Sequence, residues 1–459
     1  MEIRFPRFLA AAAASGQGKT MLTCALLKLL SDEGHSVRAF KCGPDYIDPM
    51  FHSRVLGIPS YNLDSFFLKP DTLRFLLGRH GGVPGSVGVL EGVMGYYDGL
   101  SGLSDRASAY EIAKLTKTPV VLIADASRTS LSVLALIRGF LEFRKDSQIA
   151  GVIFNRLSPS LYPGLKKAAE AELPVRVLGY VPVLKDISWE SRHLGLLRPE
   201  EIRGFKEQTE ALAEAVGKTI DLEGLMELAD SAPPLSFTPP DIPVLPGKPK
   251  IAVAMDEAFC FYYRDNLELL EAMGARISYF SPLHDKKLPE GTDGLYLGGG
   301  YPELYVRELS ENRAMRMAVK SALSDQMPCI AECGGFLYLK EELEDQAGNA
   351  YPMAGYLPGR GFYTGKLGRF GYVTVSSKEK ELLFGDKSPA HEFHYWDTTE
   401  NGTDYTAVKP LTGRNWECGF GRTDFYAGFP HFHFYSSMPA GFLKAACRRR
   451  ERTGHGTVD

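Results

Sequence analysis

Hydrophobic positions in the first half of the chain fall in short apolar runs, each followed by a stretch with helical spacing. Runs suited to strands are Arg7–Ala13, Ser36–Lys41, Val87–Glu91, Pro119–Asp125, Gln148–Asn155 and Val175–Pro182. Helical segments are expected near Gly18–Glu33, Asp71–Gly78, Ser108–Thr116, Ser130–Phe143 and Gly164–Ala171. This alternation predicts a parallel sheet covered on both faces. Ligands of such folds gather at the carboxyl ends of the strands. The second half opens in the same way, with strands at Lys250–Met255, Arg276–Phe280 and Gly294–Leu297 and a helix at Tyr262–Met273. Its later section, about 360–432, is rich in glycine and aromatics and predicts an antiparallel extension. The expected fold class is α/β in two domains.

The domain boundary is set by proline. Pro233, Pro234, Pro239, Pro240, Pro243, Pro246 and Pro249 crowd one segment. Proline fixes φ and lacks an amide donor, so a semi-rigid extended linker is expected over 231–249. It separates domains at 1–230 and 250–459.

Composition narrows the class. The 459 residues are 44% hydrophobic and 24% charged, as in an ordinary globular protein. With 52 Lys and Arg against 56 Asp and Glu, the net charge is −4, which argues against a nucleic-acid partner. Arg448, Arg449, Arg450 and Arg452 are expected to form a solvated tail. The seven cysteines are scattered, odd in number and without a Cys-x-x-Cys pair, which fits reduced thiols in a cytoplasmic enzyme. The first residues lack a signal-peptide layout, and the apolar run Phe8 to Ala14 is too short to span a membrane. No membrane partner is expected, and a homodimer is left open.

The first strand runs into Ala13-Ala14-Ser15-Gly16-Gln17-Gly18-Lys19-Thr20, and a helix follows. Small residues let backbone amides wrap phosphate oxygens, Lys19 adds positive charge, and the Thr20 hydroxyl is placed for Mg²⁺. This is a phosphate-binding P-loop, with Ala13 where the usual pattern has its first glycine. Two further strand ends carry acids. Asp45 and Asp48 follow Ser36–Lys41, and Glu91 and Asp98 follow Val87–Leu90. They are candidates for a magnesium and substrate edge, with Asp45 and Asp48 also readable as turn residues. Asn155 ends another strand, where it suits an adenine edge or a cap.

In the second half, Cys329-Ile330-Ala331-Glu332-Cys333-Gly334-Gly335 places a cysteine where an apolar strand turns sharply into a helix. Such an elbow exposes a nucleophile, and a helix N-terminus would lower its pKa. His431 and His433, two apart on an extended run, are the candidate bases. Gly298, Gly299 and Gly300 suit an oxyanion hole. His391 and His394 are left without a role.

Taken together, residues 15–20, 41–49, 90–99, 190–196, 297–303 and 332–335 resemble the cobyrinate a,c-diamide synthase family, in order and over nearly the whole chain. The resemblance implies a synthetase domain related to dethiobiotin synthetase, followed by a class I glutamine amidotransferase domain. It implies that cobyrinic acid, L-glutamine and ATP are substrates, with Mg²⁺. By motif, Ser15, Gly16, Gly18, Lys19, Thr20 and Asn155 would bind ATP. Thr20, Asp45 and Glu91 would hold the metal, while Lys41, Tyr46, Ile47, Asp48 and Asp98 would lie by the corrin carboxylate or ammonia. Cys333 would be the glutaminase nucleophile with His431 as base. His433 stands where the usual motif has Glu. A homologous branch that amidates nickel-sirohydrochlorin shares these motifs. Partitioning-type P-loop ATPases carry a lysine where this chain has Ala14, and they have no use for Cys333.

Overall fold

A strand that is apolar on both faces needs cover on both, and the N-terminal half supplies it with helices around a seven-stranded parallel sheet. The computed structural model describes residues 1–184, 199–377, 379 and 381–454. It divides into two units, Met1–Pro240 and Asp241–Asp459. The motif at 190–196 lies outside the described residues. In the first unit the strand order is Ser60–Leu63, Ser36–Cys42, Ser86–Glu91, Arg7–Ala12, Val120–Asp125, Ile149–Asn155 and Arg176–Val181. Every neighbouring pair is parallel, so all seven carboxyl ends share one edge. Arg7–Ala12 and Ser86–Glu91 are buried along their whole length, as central strands must be. Register decides which side chains meet: Glu91 sits opposite Lys41 on one side and Ala10 on the other.

The six expected strands are present, and Ser60–Leu63 joins them at the edge. The proline-rich segment departs from the expected linker. Leu235–Ser236 pairs antiparallel with Glu2–Ile3, and the Pro233 carbonyl accepts from the buried Arg7 guanidinium at 2.7 Å. The first unit therefore runs on to Pro240 rather than ending at residue 230.

The second unit has a six-stranded sheet, ordered Arg276–Phe280, Lys250–Ala254, Gly294–Leu297, Cys329–Glu332, Phe425–Gly428 and Phe420–Arg422. All its pairs are parallel except the last. Beyond it lies an antiparallel sheet, ordered Asn415–Cys418, Tyr405–Val408, Phe370–Ser377, Ser388–Phe393 and His431–Phe432. This is the extension predicted from glycine and aromatic content. The terminal arginines are the expected solvated tail only in part, with Arg448 and Arg452 exposed. They end the helix Ala440–Arg452, where Arg449 donates to Asp325 at 2.6 Å and Arg450 to Asp293 at 3.2 Å. Phe442 and Leu443 bury the inner face of that helix, and these pairs hold its outer end.

Candidate active site

The loop after Arg7–Ala12 needs backbone conformations that side chains resist. Gly16 and Gly18 have φ of 75° and 82°. A Cβ on Gly18 would also lie 2.5 Å from Asn155 Nδ2, so only glycine fits there. Ser15 and Gly16 form the exposed tip. The loop is braced from within by the Ala13 N–H, which donates to Gln17 Oε1 at 3.0 Å. The Asn155 amide also braces it, donating to the Gln17 carbonyl at 2.9 Å. Asn155 Oδ1 accepts from the Arg156 N–H. Both ends of the Asn155 amide thus brace the loop and its own turn, the cap-like use expected beside the adenine edge.

Lys19 begins the helix Lys19–Asp32, and its ammonium donates to the Ala14 carbonyl at 3.2 Å and the Met94 carbonyl at 2.5 Å. Burial, then the Lys41 charge, lower its pKa to about 8. The Thr20 hydroxyl donates to Glu91 Oε1 at 2.6 Å. Lys41 donates to the same oxygen at 2.9 Å and pairs with Asp48, while His52 Nε2 lies 3.3 Å from Glu91 Oε2. Burial opposes charge here. Lys41 nevertheless stays well above its ordinary value, because Asp48 and Glu91 outweigh burial. Glu91 is held well below its own: burial would raise it, but Lys41, His52 and Thr20 prevail.

Four of the expected site residues have partners within the fold. Lys41, expected beside the substrate, is a buried cation paired with both Asp48 and Glu91. Asp48 is itself buried against it. Asp45, expected as a metal ligand, uses Oδ1 to accept from the Ile47 N–H at 2.8 Å and the Asp48 N–H at 3.4 Å. It therefore starts the helix Ile47–Arg54, with Tyr46 just before it. Asp98 accepts from the Gly95 N–H at 2.9 Å and shapes the loop that holds Met94 over Lys19.

In the second unit, Cys333 joins the strand Cys329–Glu332 to the helix Gly334–Tyr338 with φ 48° and ψ −98°. This is the strained elbow that a sharp strand-to-helix turn imposes. The glycines after it permit close approach. A Cβ on Gly335 would lie 2.1 Å from the Leu297 carbonyl, and one on Gly334 would lie 3.1 Å from Gly300 N. The Gly334 backbone N–H favours the Cys333 thiolate. The thiol is nonetheless raised rather than lowered, first by burial and then by the Glu303 and Glu392 carboxylates. One short helix does not offset desolvation of a thiolate.

The glycine run also differs in part from expectation. The Gly298 N–H donates to the Tyr262 hydroxyl at 2.8 Å, so it has no donor left for an oxyanion. Gly299 and Gly300 pair with Phe261 and Phe259. A Cβ on Gly299 would lie 2.6 Å from His431 Cε1 and 3.4 Å from Nε2, which places the imidazole directly over this glycine. The His431 strand stops at Phe432, and His433 has other surroundings. Its ring lies 5.1 Å from that of Tyr263, and burial, partly countered by Asp265, lowers its pKa to about 4. His391 sits opposite His431 in the ladder, lowered to about 3 by burial, His431 and Lys409. His394 stacks on Phe429, with ring centroids 3.8 Å apart.

Sequence reading missed Glu332. Its Oε2 lies 3.7 Å from His431 Nδ1, although 99 positions separate the two residues in the chain. No spacing rule links residues so far apart. The only signal was an acid in an otherwise apolar strand.

Residues 8–197 match the family model for the CobQ/CobB/MinD/ParA nucleotide binding domain. Residues 250–438 match that for the CobB/CobQ-like glutamine amidotransferase domain. Similar curated proteins are called cobyrinate a,c-diamide synthase. One from Caldanaerobacter subterraneus is 42% identical over 94% of this chain and 95% of its own length. Those from Listeria innocua and Clostridium acetobutylicum are 38% and 39% identical, over 94% and 95% of this chain and 97% and 99% of theirs.

Proposed function

The chain belongs to the cobyrinate a,c-diamide synthase family, and we propose on that footing that it amidates the a- and c-carboxylates of cobyrinic acid, using ATP and glutamine. The observation that carries this is the union of two chemistries in one chain: a P-loop whose Thr20 meets Glu91, and a cysteine elbow whose Gly334 packs on Gly299 and Gly300, the loop that His431 covers. A carboxylate is a poor electrophile. Its oxygen attacks the γ-phosphorus, ADP leaves, and the acyl phosphate then loses phosphate to attacking ammonia. Lys19 meets the phosphates, exchanging its carbonyl partners for them. Lys41 keeps Asp48 and Glu91 fixed. Asn155 holds the loop in its phosphate-ready shape.

Magnesium fits the donors present. Thr20 and Glu91 offer a hydroxyl and a carboxylate oxygen within 2.6 Å of each other, an all-oxygen set of the kind this ion takes. When bound, it supplies neutralising charge to the transferring phosphoryl group.

Ammonia comes from glutamine. Cys333 Sγ attacks the amide carbon as His431 takes the thiol proton and passes it to the departing nitrogen. Water then cleaves the thioester to glutamate. Gly334, with Gly299 or Gly300, supplies oxyanion donors. We place the reaction in the cytoplasm, supported by seven free thiols.

The test is mass spectrometry of products after incubation with ATP, Mg²⁺ and glutamine. Cobyrinic acid and nickel-sirohydrochlorin go in separate tubes. Two amidations of cobyrinic acid are expected. Product from the nickel compound alone would move the substrate, and no product in either tube would overturn the reading.

A further inference from the structure

Class I amidotransferases pair the catalytic histidine with an acid two residues later, and here that position is His433. The fold brings a different carboxylate to His431. Glu332 ends the strand Cys329–Glu332, is 1% exposed and directly precedes the nucleophile. Its Oε2 stands 3.7 Å from His431 Nδ1. Resting on the glutaminase reading above, we propose that Glu332 is the positioning residue for His431, taking the place of the missing downstream acid.

Three observations support this. First, the carboxylate is held rather than loose: the Phe432 N–H donates to Oε1 at 2.9 Å and the Tyr296 hydroxyl to Oε2 at 3.0 Å. The clamp comes from the residue after His431, so the carboxylate and the ring share one backbone. Second, the orientation is useful. With Nδ1 toward Glu332, the imidazole keeps its Nδ1 proton and leaves the Nε2 lone pair for the thiol. Cε1 and Nε2 lie over Gly299, whose chain abuts Gly334 next to the nucleophile. Third, neighbouring groups have engagements of their own, and Glu392, the buried carboxylate beside His391, lies 3.7 Å from His394 Nε2. His391, across the ladder, is lowered to about 3, first by burial, and is neutral at working pH. Asn266 spends its side chain on the Phe432 carbonyl and the Phe434 N–H, fixing the strand rather than the ring.

A separation of 3.7 Å is longer than a hydrogen bond. Catalytic contacts are often long in the free enzyme and close once substrate is bound. A shift of under 1 Å by the ring would complete this one.

The test compares Glu332→Gln and Glu332→Asp with the unaltered protein, in glutamine- and ammonia-dependent amidation. Glu332→Gln is nearly isosteric and should keep ammonia-dependent turnover. Its glutamine-dependent kcat should fall about 10- to 100-fold with KM nearly unchanged. Its acid limb should move to lower pH, because an imidazolium would lose the neighbouring negative charge. Glu332→Asp keeps the charge and should hold that limb in place while losing less kcat. An unchanged kcat and limb in Glu332→Gln would overturn the proposal. So would equal losses in both variants with unmoved limbs, which would make the residue structural. If the unaltered protein releases no ammonia from glutamine, the glutaminase reading fails instead, and the two failures are distinguishable.

Discussion

Gly299→Ala is the sharpest test of where His431 stands. The glycine has no positive φ, so alanine meets no backbone penalty. Its Cβ would meet His431 Cε1 at 2.6 Å, Phe261 Cβ at 3.3 Å and His431 Nε2 at 3.4 Å. Carbon atoms rest about 3.5–4.0 Å apart, so the ring must retreat by about 1 Å. Retreat is resisted, since Nδ1 faces Glu332 at 3.7 Å and the backbone is paired with His391. A misplacement of about 1 Å in a reacting group costs on the order of 100-fold in rate. Overpacking a buried site adds about 1–3 kcal/mol of destabilisation, which a folded domain tolerates. Glutamine-dependent kcat should therefore fall about 100-fold, while amidation from added ammonium salt stays within about twofold. Both rates are read by mass spectrometry of the corrin product, with thermal unfolding as a folding check. Glutamine-dependent turnover within about twofold of the unaltered protein would show that His431 is not the base held over this loop.

Three further outcomes are expected. Cys333→Ala should abolish glutamine use and spare ammonia-dependent amidation; loss of both would contradict the division into two sites. Lys19, at about 8 in the free protein, must be protonated to meet triphosphate. The equilibrium Kd for ATP should rise about 10- to 30-fold between pH 7.5 and 9.5, and a flat profile would remove Lys19 from the phosphates. His391 and His433, at about 3 and 4, stay neutral in the fold while the unfolded chain takes up protons below about 6.5. Stability is therefore unaffected above that pH and falls below it, by about 2 kcal/mol for each histidine at pH 5. Urea unfolding at pH 7.5 and 5.0 should show His433→Gln losing about 2 kcal/mol less than the unaltered protein, and equal losses would refute the burial argument.

Where sequence reading fell short, the cause is physical in each case. Ser60–Leu63 was missed because it is four residues long and carries Asn62. That side chain is satisfied by the Gly43 and Asp45 carbonyls, partners the sequence does not display. Asp45 was readable as a metal ligand or a turn residue, and its Oδ1 accepts from the backbone amides of Ile47 and Asp48, the turn role. Gly298 looked like an oxyanion donor because glycine runs expose amides, but Tyr262 occupies its N–H.

The sequence by itself determined the elements that local chemistry dictates. Uninterrupted apolar runs require buried parallel strands, Gly-Lys-Thr after a strand requires a phosphate loop, and Cys-Gly-Gly after a strand requires an elbow. Only the tertiary structure decided which distant groups share a charge or a proton. Lys41 answers Glu91 because adjacent parallel strands place them in register. Glu332 faces His431 because the strand ending in Glu332 lies beside the one that leads through Gly428 to the histidine. Periodicity reports how a residue sits within its own element, whereas these partners are set by which strands lie side by side.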